Sequence, residues 1–152
     1  MALHFQRASL SDADLLGALN QQLIQDQGHR NASNLSELQE RMRGWLATDY
    51  LAVIFEYDAE AVAYALYREE AELIYLRHFF VQRHWRRRGI GRQALHLLRT
   101  QIWPADKRLT VEILCANAAA LALFRDFGFR DYSVMLEILP HRGEDSSLCK
   151  SG

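Results

Sequence analysis

The sequence predicts an α/β protein built on one mixed β-sheet, on three observations. Apolar residues recur at helical spacing in four segments, which alternate with strand-like runs in the second half of the chain. Residues 51–57 and 61–67 are strand-like runs joined by a short turn, which indicates an antiparallel hairpin. The length of 152 residues suits one domain with a buried core. We expect roughly six to seven strands and about four helices in one domain over residues 1–140, followed by a flexible polar tail over residues 141–152.

The first half of the chain supplies a strand, two helices and the hairpin. Residues 2–10 alternate as a first strand, and Ser11 followed by acidic residues predicts the start of a helix. The run 26–31 breaks the helical pattern and is interpreted as a loop. A second helix is expected to begin near Asn34 or Ser36.

The second half of the chain alternates strands with helices, and two residues mark helix ends. Pro104 cannot continue a helix, and Gly128 lies where a left-handed helix end belongs. The expected elements are, in order, a strand over 73–81, a helix over 90–102, a strand over 109–115, a helix that Asn117 caps, and a final strand or strand pair over 129–139.

Composition and charge exclude several classes of protein. Hydrophobic residues make up 49% and charged residues 24% of the chain, which is typical of soluble globular proteins. The net charge of −1 gives no overall attraction to nucleic acid or to an acidic membrane surface, and no apolar run is long enough to span a membrane. Cys115 and Cys149 lie far apart without metal-ligand spacing, so we expect no metal site, no bridge between them and a cytoplasmic location.

Two glycines and four arginines lie where the strand over 73–81 leads into the helix that starts at Ile90. Gly89 and Gly91 have no Cβ, and a helix start presents unpaired N–H groups with a partial positive charge. We therefore interpret residues 86–92 as a cradle for a phosphate group. The stretch lacks the third glycine of a dinucleotide fingerprint and the lysine of a P-loop. Two alternatives remain open, a glycine turn with solvated arginines and a nucleic-acid patch in which Trp85 stacks on a base.

Two separate blocks of the sequence resemble the GNAT superfamily of N-acetyltransferases. Residues 81–91 are similar to its central signature, a strand ending in valine followed by Gln or Arg-x-x-Gly-x-Gly or Ala at the head of a helix. Residues 117–129 are similar to its second block, with asparagine, then alanine three residues on, an aromatic residue seven on, and a closing Gly-Phe. The resemblance implies acetyl-CoA as cofactor and a twisted sheet whose fourth and fifth strands splay apart to admit it. The implied cofactor-binding residues are Phe79, Phe80 and Val81 along the pantetheine, Arg86, Arg87, Arg88, Gly89, Ile90, Gly91 and Arg92 at the diphosphate, and Asn117 and Phe124 beside them.

Acetyl transfer to an amine requires a neutral amine, whose usual pKa is about 10.4, so a base assists the reaction. Ribosomal-protein N-terminal acetyltransferases within the superfamily have a glutamate at the position of Glu112, which the resemblance therefore implies as base. His78 and Tyr75 on the fourth strand are further catalytic candidates, with packing or surface roles as the alternatives for all three. Phe124 stands where many members have a tyrosine that protonates the leaving thiolate, and phenylalanine cannot do so.

The function implied by the resemblance is an acetyl-CoA-dependent N-acetyltransferase that acts on a primary amine of a small molecule or a protein. His29, Arg30 and Asn31 in the predicted loop suit a polar acceptor, including one with a carboxylate. The expected partners are this amine and a second copy of the chain in a homodimer, without nucleic acid or membrane. Because Phe124 removes the usual acid, a non-catalytic acyl-CoA sensor or interaction module is the alternative.

Overall fold

The computed structural model describes residues 2–27 and 33–141, and the chain divides into two compact units after Glu112. Of the expected tail over residues 141–152, residues 142–152 lie outside the described residues. The first unit contains β1 (His4–Arg7), α1 (Ala13–Gln27), α2 (Leu35–Leu46), β2 (Tyr50–Tyr57), β3 (Glu60–Glu69), β4 (Leu73–Val81), α3 (Ile90–Leu97) and β5 (Arg108–Val111), and the second contains α4 (Ala118–Phe127).

The five strands form one sheet in the order β1-β2-β3-β4-β5. The first three pairs are antiparallel and the β4–β5 pair is parallel, which confirms the predicted mixed α/β sheet. The predicted hairpin is β2–β3, and Asp58 and Ala59 in its turn have positive φ angles of 51° and 65°. Such angles match the twist of a two-residue hairpin turn.

The described residues contain five strands rather than six to seven, because residues 129–140 form none. Val134, Leu136 and Ile138 alternate as a strand requires, but their exposed fractions are 82%, 87% and 98%. Alternation shows which face a strand would bury, whereas the strand itself forms only when a neighbouring backbone completes its hydrogen bonds. The predicted final strand is therefore wrong, and β5 ends at Val111 instead of Cys115.

Three other local predictions have mixed outcomes. Ser9, rather than Ser11, begins the first helical segment, and its N–H donates to the Asp12 carboxylate at 2.8 Å. Asn34 caps α2 as predicted, since its side chain accepts a hydrogen bond from the Glu37 N–H at 2.9 Å. The expectation of an unbridged Cys115 is wrong, because this residue is disulfide-bonded, while Cys149 lies outside the described residues.

Helices α1 and α2 pack on one face of the sheet over a buried cluster that includes Tyr64, Leu66 and Phe80. The two helices approach closely because Gly17 has no side chain; a Cβ there would lie 2.7 Å from the Cα of Gln39. Alternate residues of β2 and β3, which are also buried, point to the opposite face. Helix α3 contacts β3 and β4 there, and continues as a wider π-helical turn over Leu98–Ile102.

The β3–β4 ladder contains a bulge. Leu66 is paired with His78 and Tyr67 with Leu76, so Arg77 is an extra residue without a partner on β3. Residues two apart on a strand share a face, whereas residues three apart do not. The bulge changes this relation within β4, and its effect is seen at the candidate site.

Candidate active site

Strand β4 continues beyond the last residue pair that it makes with β5. The β4–β5 ladder ends at the Leu76–Val111 pair, while the β3–β4 ladder continues to the Ala63–Val81 pair. Residues 77–81, which include the predicted pantetheine residues Phe79, Phe80 and Val81, therefore lie past the β5 ladder. An extended molecule could lie against β4 in this region, as a splayed pair of strands requires.

The predicted phosphate cradle follows β4 directly and opens α3. Gly89 caps the helix with a φ of 75°, and its carbonyl accepts the first helical hydrogen bond, from the Gln93 N–H at 3.0 Å. The amides of residues 90–92 are therefore in the first turn, where no intrahelical acceptor exists. Arg87 also has a positive φ, of 63°, which costs a residue with a side chain about 1 kcal/mol or more. Strain of this kind persists where surrounding structure fixes the backbone.

The side chain of Arg86, which the sequence analysis predicted to bind phosphate, contacts two groups of the protein. Its Nε donates to the Val81 carbonyl at 2.9 Å and its Nη2 to Asp26 Oδ2 at 2.8 Å. Arg83 donates to the other Asp26 oxygen. Asp26 lies near the end of α1, and only 11% of its side chain is exposed. These contacts tie the start of the cradle to α1, and no local pattern indicated them, since 57 or more residues separate the partners.

Arg87, Arg88 and Arg92 keep exposed side chains around the cradle. The Arg88 guanidinium lies 4.9 Å from the centre of the Trp85 ring. The Trp85 indole N–H donates to Glu60 at 2.8 Å, and His84 Nε2 lies 3.1 Å from the same oxygen. These hydrogen bonds lower the pKa of Glu60 below its usual value. Trp85, which Glu60 holds in place, therefore contacts Arg88 beside the cradle.

Two of the three predicted catalytic residues are in contact. The Tyr75 hydroxyl donates to Glu112 Oε1 at 3.1 Å. Burial raises the pKa of Tyr75, and the hydrogen bond to Glu112 raises it further. Tyr75 therefore stays protonated at neutral pH and acts as a donor that orients the exposed Glu112 carboxylate.

His78, the third candidate, lies on the same face of the sheet as Tyr75. Arg68 is paired with Tyr75 and Leu66 with His78, and Arg68 and Leu66 are two apart on β3. The Tyr64 hydroxyl lies 3.0 Å from His78 Nδ1, and burial raises the pKa of Tyr64 well above its usual value. A neutral tyrosine thus fixes the orientation of the imidazole.

A group of arginine and aromatic side chains that the sequence analysis missed lies on this face. We call it the Trp45 cluster: Arg41, Trp45, Tyr50, Arg68 and Arg77. The guanidinium carbons of Arg41 and Arg77 each lie 4.8 Å from the Trp45 ring centre, and Arg77 donates to the Tyr50 hydroxyl at 3.3 Å. Trp45 also meets the edge of the His78 ring at 5.2 Å. The spacing of Arg41 and Trp45, four residues apart on α2, was the available sequence signal.

In the second unit, Asn117 caps α4, as predicted. Its side-chain oxygen accepts a hydrogen bond from the Ala120 N–H at 3.2 Å. Phe124 is 3% exposed, and its ring meets Phe129 edge-on at 5.2 Å. Helix α4 ends at Gly128, whose φ is 124°.

Three remaining expectations concern the acceptor loop, a metal site and a membrane-spanning helix. His29, Arg30 and Asn31 lie outside the described residues. Within residues 2–27 and 33–141, no group of three or more His, Cys, Asp or Glu side chains could hold a metal ion. The helices in these same ranges are all too short or too polar to cross a membrane.

The sequence matches a family model described as an acetyltransferase (GNAT) domain over residues 15–137. This match covers most of the chain, which therefore belongs to the GNAT acetyltransferase family, as the two sequence blocks indicated. No protein of curated function matches the sequence.

Solved structures share the fold at low sequence identity. A predicted acetyltransferase from Clostridium acetobutylicum, crystallised with acetyl-CoA, has a TM-score of 0.72 at 17% identity, over 92% of this chain and 99% of that one. An acetyltransferase from Thermus thermophilus has a TM-score of 0.71 at 22% identity, over 86% of this chain and 88% of that one. The aminoglycoside N-acetyltransferase AAC(6')-Iy, in complex with CoA, has a TM-score of 0.72 at 12% identity, over 92% of this chain and 95% of that one. These similarities establish the GNAT fold.

Proposed function

We propose that this protein transfers an acetyl group from acetyl-CoA to a primary amine. The observation that carries the proposal is the position of the amide cradle, directly after β4 and at the end where β4 has left its ladder with β5. A diphosphate on the amides of residues 90–92 would satisfy the open N–H groups of α3. The pantetheine arm could then extend along residues 77–81. The complexes of two similar structures with acetyl-CoA and CoA support this cofactor.

The exposed arginines complete the proposed cofactor site. Arg87, Arg88 and Arg92 surround the cradle, and guanidinium groups bind phosphate oxygens through two hydrogen bonds at once. Arg86 has a different role in this proposal: it holds the cradle in place through Asp26. For Asn117 and Phe124 in the second unit, the family resemblance alone supports a role in cofactor binding.

Glu112 is the proposed base for the incoming amine. An ammonium group with a pKa of about 10.4 must lose a proton before it attacks the thioester. The Tyr75 hydroxyl holds the Glu112 carboxylate in one orientation, so that it can accept this proton directly or through a water molecule. His78 is the second candidate base, with its Nδ1 held by Tyr64. The amine nitrogen then bonds to the acetyl carbon, and the carbon–sulfur bond breaks to release CoA thiolate.

The leaving thiolate has no tyrosine at position 124 to protonate it. A thiol with a pKa of about 8.5 is a fair leaving group, so water can supply this proton. Phe124 also favours a second function, a non-catalytic acyl-CoA sensor, in which the cofactor is bound but no acetyl group is transferred. The two functions differ in turnover and share cofactor binding.

Two measurements test the proposal. Isothermal titration calorimetry with acetyl-CoA should detect binding, and a thiol-release assay over a panel of amines should detect turnover. Glu112→Gln should lower kcat by about 10²- to 10⁴-fold while the dissociation constant of acetyl-CoA stays unchanged. Binding without turnover on any amine would favour the sensor, and absence of binding would contradict both functions.

The proposal includes the setting in which the protein works. We expect a homodimer that binds neither nucleic acid nor membrane. The expected cytoplasmic location loses the support of unbridged cysteines, because Cys115 is disulfide-bonded. The exposed apolar side chains Val134, Leu136 and Ile138 support association through this segment. Light scattering at several concentrations measures the mass of the particle, and a monomer at all concentrations would contradict the dimer.

A further inference from the structure

Arg41 and Arg77 hold two positive charges close together at the Trp45 cluster. Both guanidinium carbons lie 4.8 Å from the centre of the same indole ring, so they are separated by at most twice that distance. The Arg77 side chain is exposed, and Arg41 is partly buried. Like charges at such a separation repel each other, and this repulsion is strongest where solvent is partly excluded.

Neither arginine forms an ion pair among the described residues, in contrast to other arginines of the chain. Arg43, Arg68 and Arg86, for example, each contact an aspartate or glutamate. The Nε atom of Arg41 is buried and has no hydrogen-bond partner in that part of the chain. Burial and the nearby Arg77 both lower the pKa of Arg41. An anion bound to the other nitrogens of these guanidinium groups would relieve the repulsion between them.

The position of the cluster connects it with the proposed chemistry. Trp45 contacts the ring of His78, and Arg68 lies over the Tyr75 ring at 5.6 Å. The cluster thus lies on the face of β4 that carries two catalytic candidates, one of which orients Glu112. A molecule that presents its amine to this face would place its other groups near the arginines.

We propose that Arg41 and Arg77 bind a carboxylate of the acceptor, so that the preferred substrate is an amine that also carries a carboxylate, as amino acids and peptides do. This inference rests on the proposed function. The Trp45 indole that both guanidinium groups contact restricts their motion, which favours a fixed carboxylate-binding geometry. Polycationic amines, the class to which aminoglycosides belong, would be repelled by the same charges.

Pairs of amines that differ only in the carboxylate test the proposal. Lysine is compared with cadaverine and phenylalanine with phenethylamine, each by kcat/KM at saturating acetyl-CoA. The wild-type protein should prefer the carboxylate member by about 10-fold or more, and Arg77→Gln should lower kcat/KM for that member by about 10- to 100-fold with little change for its partner. Arg99→Gln, which removes an exposed arginine from the turn after α3, is the matched control and should keep the wild-type preference.

Further arms locate the carboxylate and separate the two proposals. Comparing kcat/KM for a dipeptide and for its C-terminal amide shows whether the protein recognises the carboxylate of a peptide as it does that of a free amino acid. Calorimetric titration of phenylalanine and phenethylamine, with and without CoA, reports binding independently of turnover. Stronger binding of phenylalanine that Arg77→Gln abolishes supports the inference even if no amine is acetylated. Equal binding and equal kcat/KM for the paired amines, or a preference for the decarboxylated member, would overturn it.

Discussion

Replacing Asp26 by asparagine tests whether α1 holds the phosphate cradle in its binding geometry. Asp26 contacts the guanidinium groups of Arg83 and Arg86 with its two oxygens. The substitution keeps the size of the side chain and removes its charge. Arg86 would lose its charged partner but keep its hydrogen bond to the Val81 carbonyl.

The magnitude follows from the exposure of each pair. Arg83 is 76% exposed, so its pair contributes only about 0.5 kcal/mol to the free energy of unfolding. Arg86 is 42% exposed and Asp26 is 11% exposed, so this pair lies between an exposed and a shielded one, at about 1 kcal/mol. We therefore expect a loss of about 1–2 kcal/mol, or roughly 2–8 °C in Tm. If the lost 1–2 kcal/mol acts only by reducing the fraction of molecules in which the cradle is ordered, the affinity for CoA falls by at most about 5- to 30-fold.

The assays are thermal unfolding and calorimetric titration with CoA. Asp14→Asn is the matched control, because Asp14 also contacts an arginine, Arg43, at 2.6 Å, but on the outer surface of α1 and α2. It should lower Tm slightly and leave CoA affinity unchanged. If Asp26→Asn lowers Tm as expected while the CoA dissociation constant stays within twofold, or if the released arginines tighten binding, the positioning role of Asp26 is refuted.

Three further predictions concern the cradle, its support and the leaving group. Gly89→Ala should cost about 1–2 kcal/mol and weaken CoA binding, because a φ of 75° strains a residue with a Cβ, although that Cβ would meet only Gln93 Nε2, at an ordinary contact distance of 3.8 Å; unchanged Tm and affinity would contradict this. Glu60 has a lowered pKa, so its stabilising contribution is present at neutral pH and lost as pH falls through the lowered value. Glu60→Gln should therefore lower Tm more at pH 7 than at pH 3, in melts across that range, and an equal loss at both would argue against a role for the charge. Phe124→Tyr should change kcat little or raise it modestly in the thiol-release assay, whereas a large loss would show that the apolar ring itself is required.

Features set by neighbouring residues could be predicted from the sequence. The β2–β3 hairpin, β4, the start of α3 at Ile90 and the Asn117 cap all depend on turn, capping and periodicity rules that act within a few residues. The family also followed from two short blocks. The contact between Tyr75 and Glu112 agrees with the parallel pairing of β4 and β5 that the structure shows.

Features set by distant residues could not be predicted in this way. The pairing of Arg86 with Asp26 joins residues 60 apart, and the Trp45 cluster assembles side chains from α2 and three strands. A single sequence contains no rule that selects these partners among many arginines and acids. The prediction of a strand within residues 129–140 was wrong for a related reason. An alternating pattern does not show which backbone segment would pair with the strand.

The additional residue in β4, Arg77, brings a charged side chain to the surface that Tyr75 and His78 share. With this residue present, Tyr75 and His78 point the same way although they are three positions apart. Deleting Arg77 would place Tyr75, His78 and Phe80 in regular alternation on the same face, so it would remove the guanidinium group and leave these three side chains where they are. A one-codon insertion could thus add a positive charge to the acceptor surface in a single evolutionary step, while the neighbouring side chains and the diphosphate-binding turn downstream keep their places.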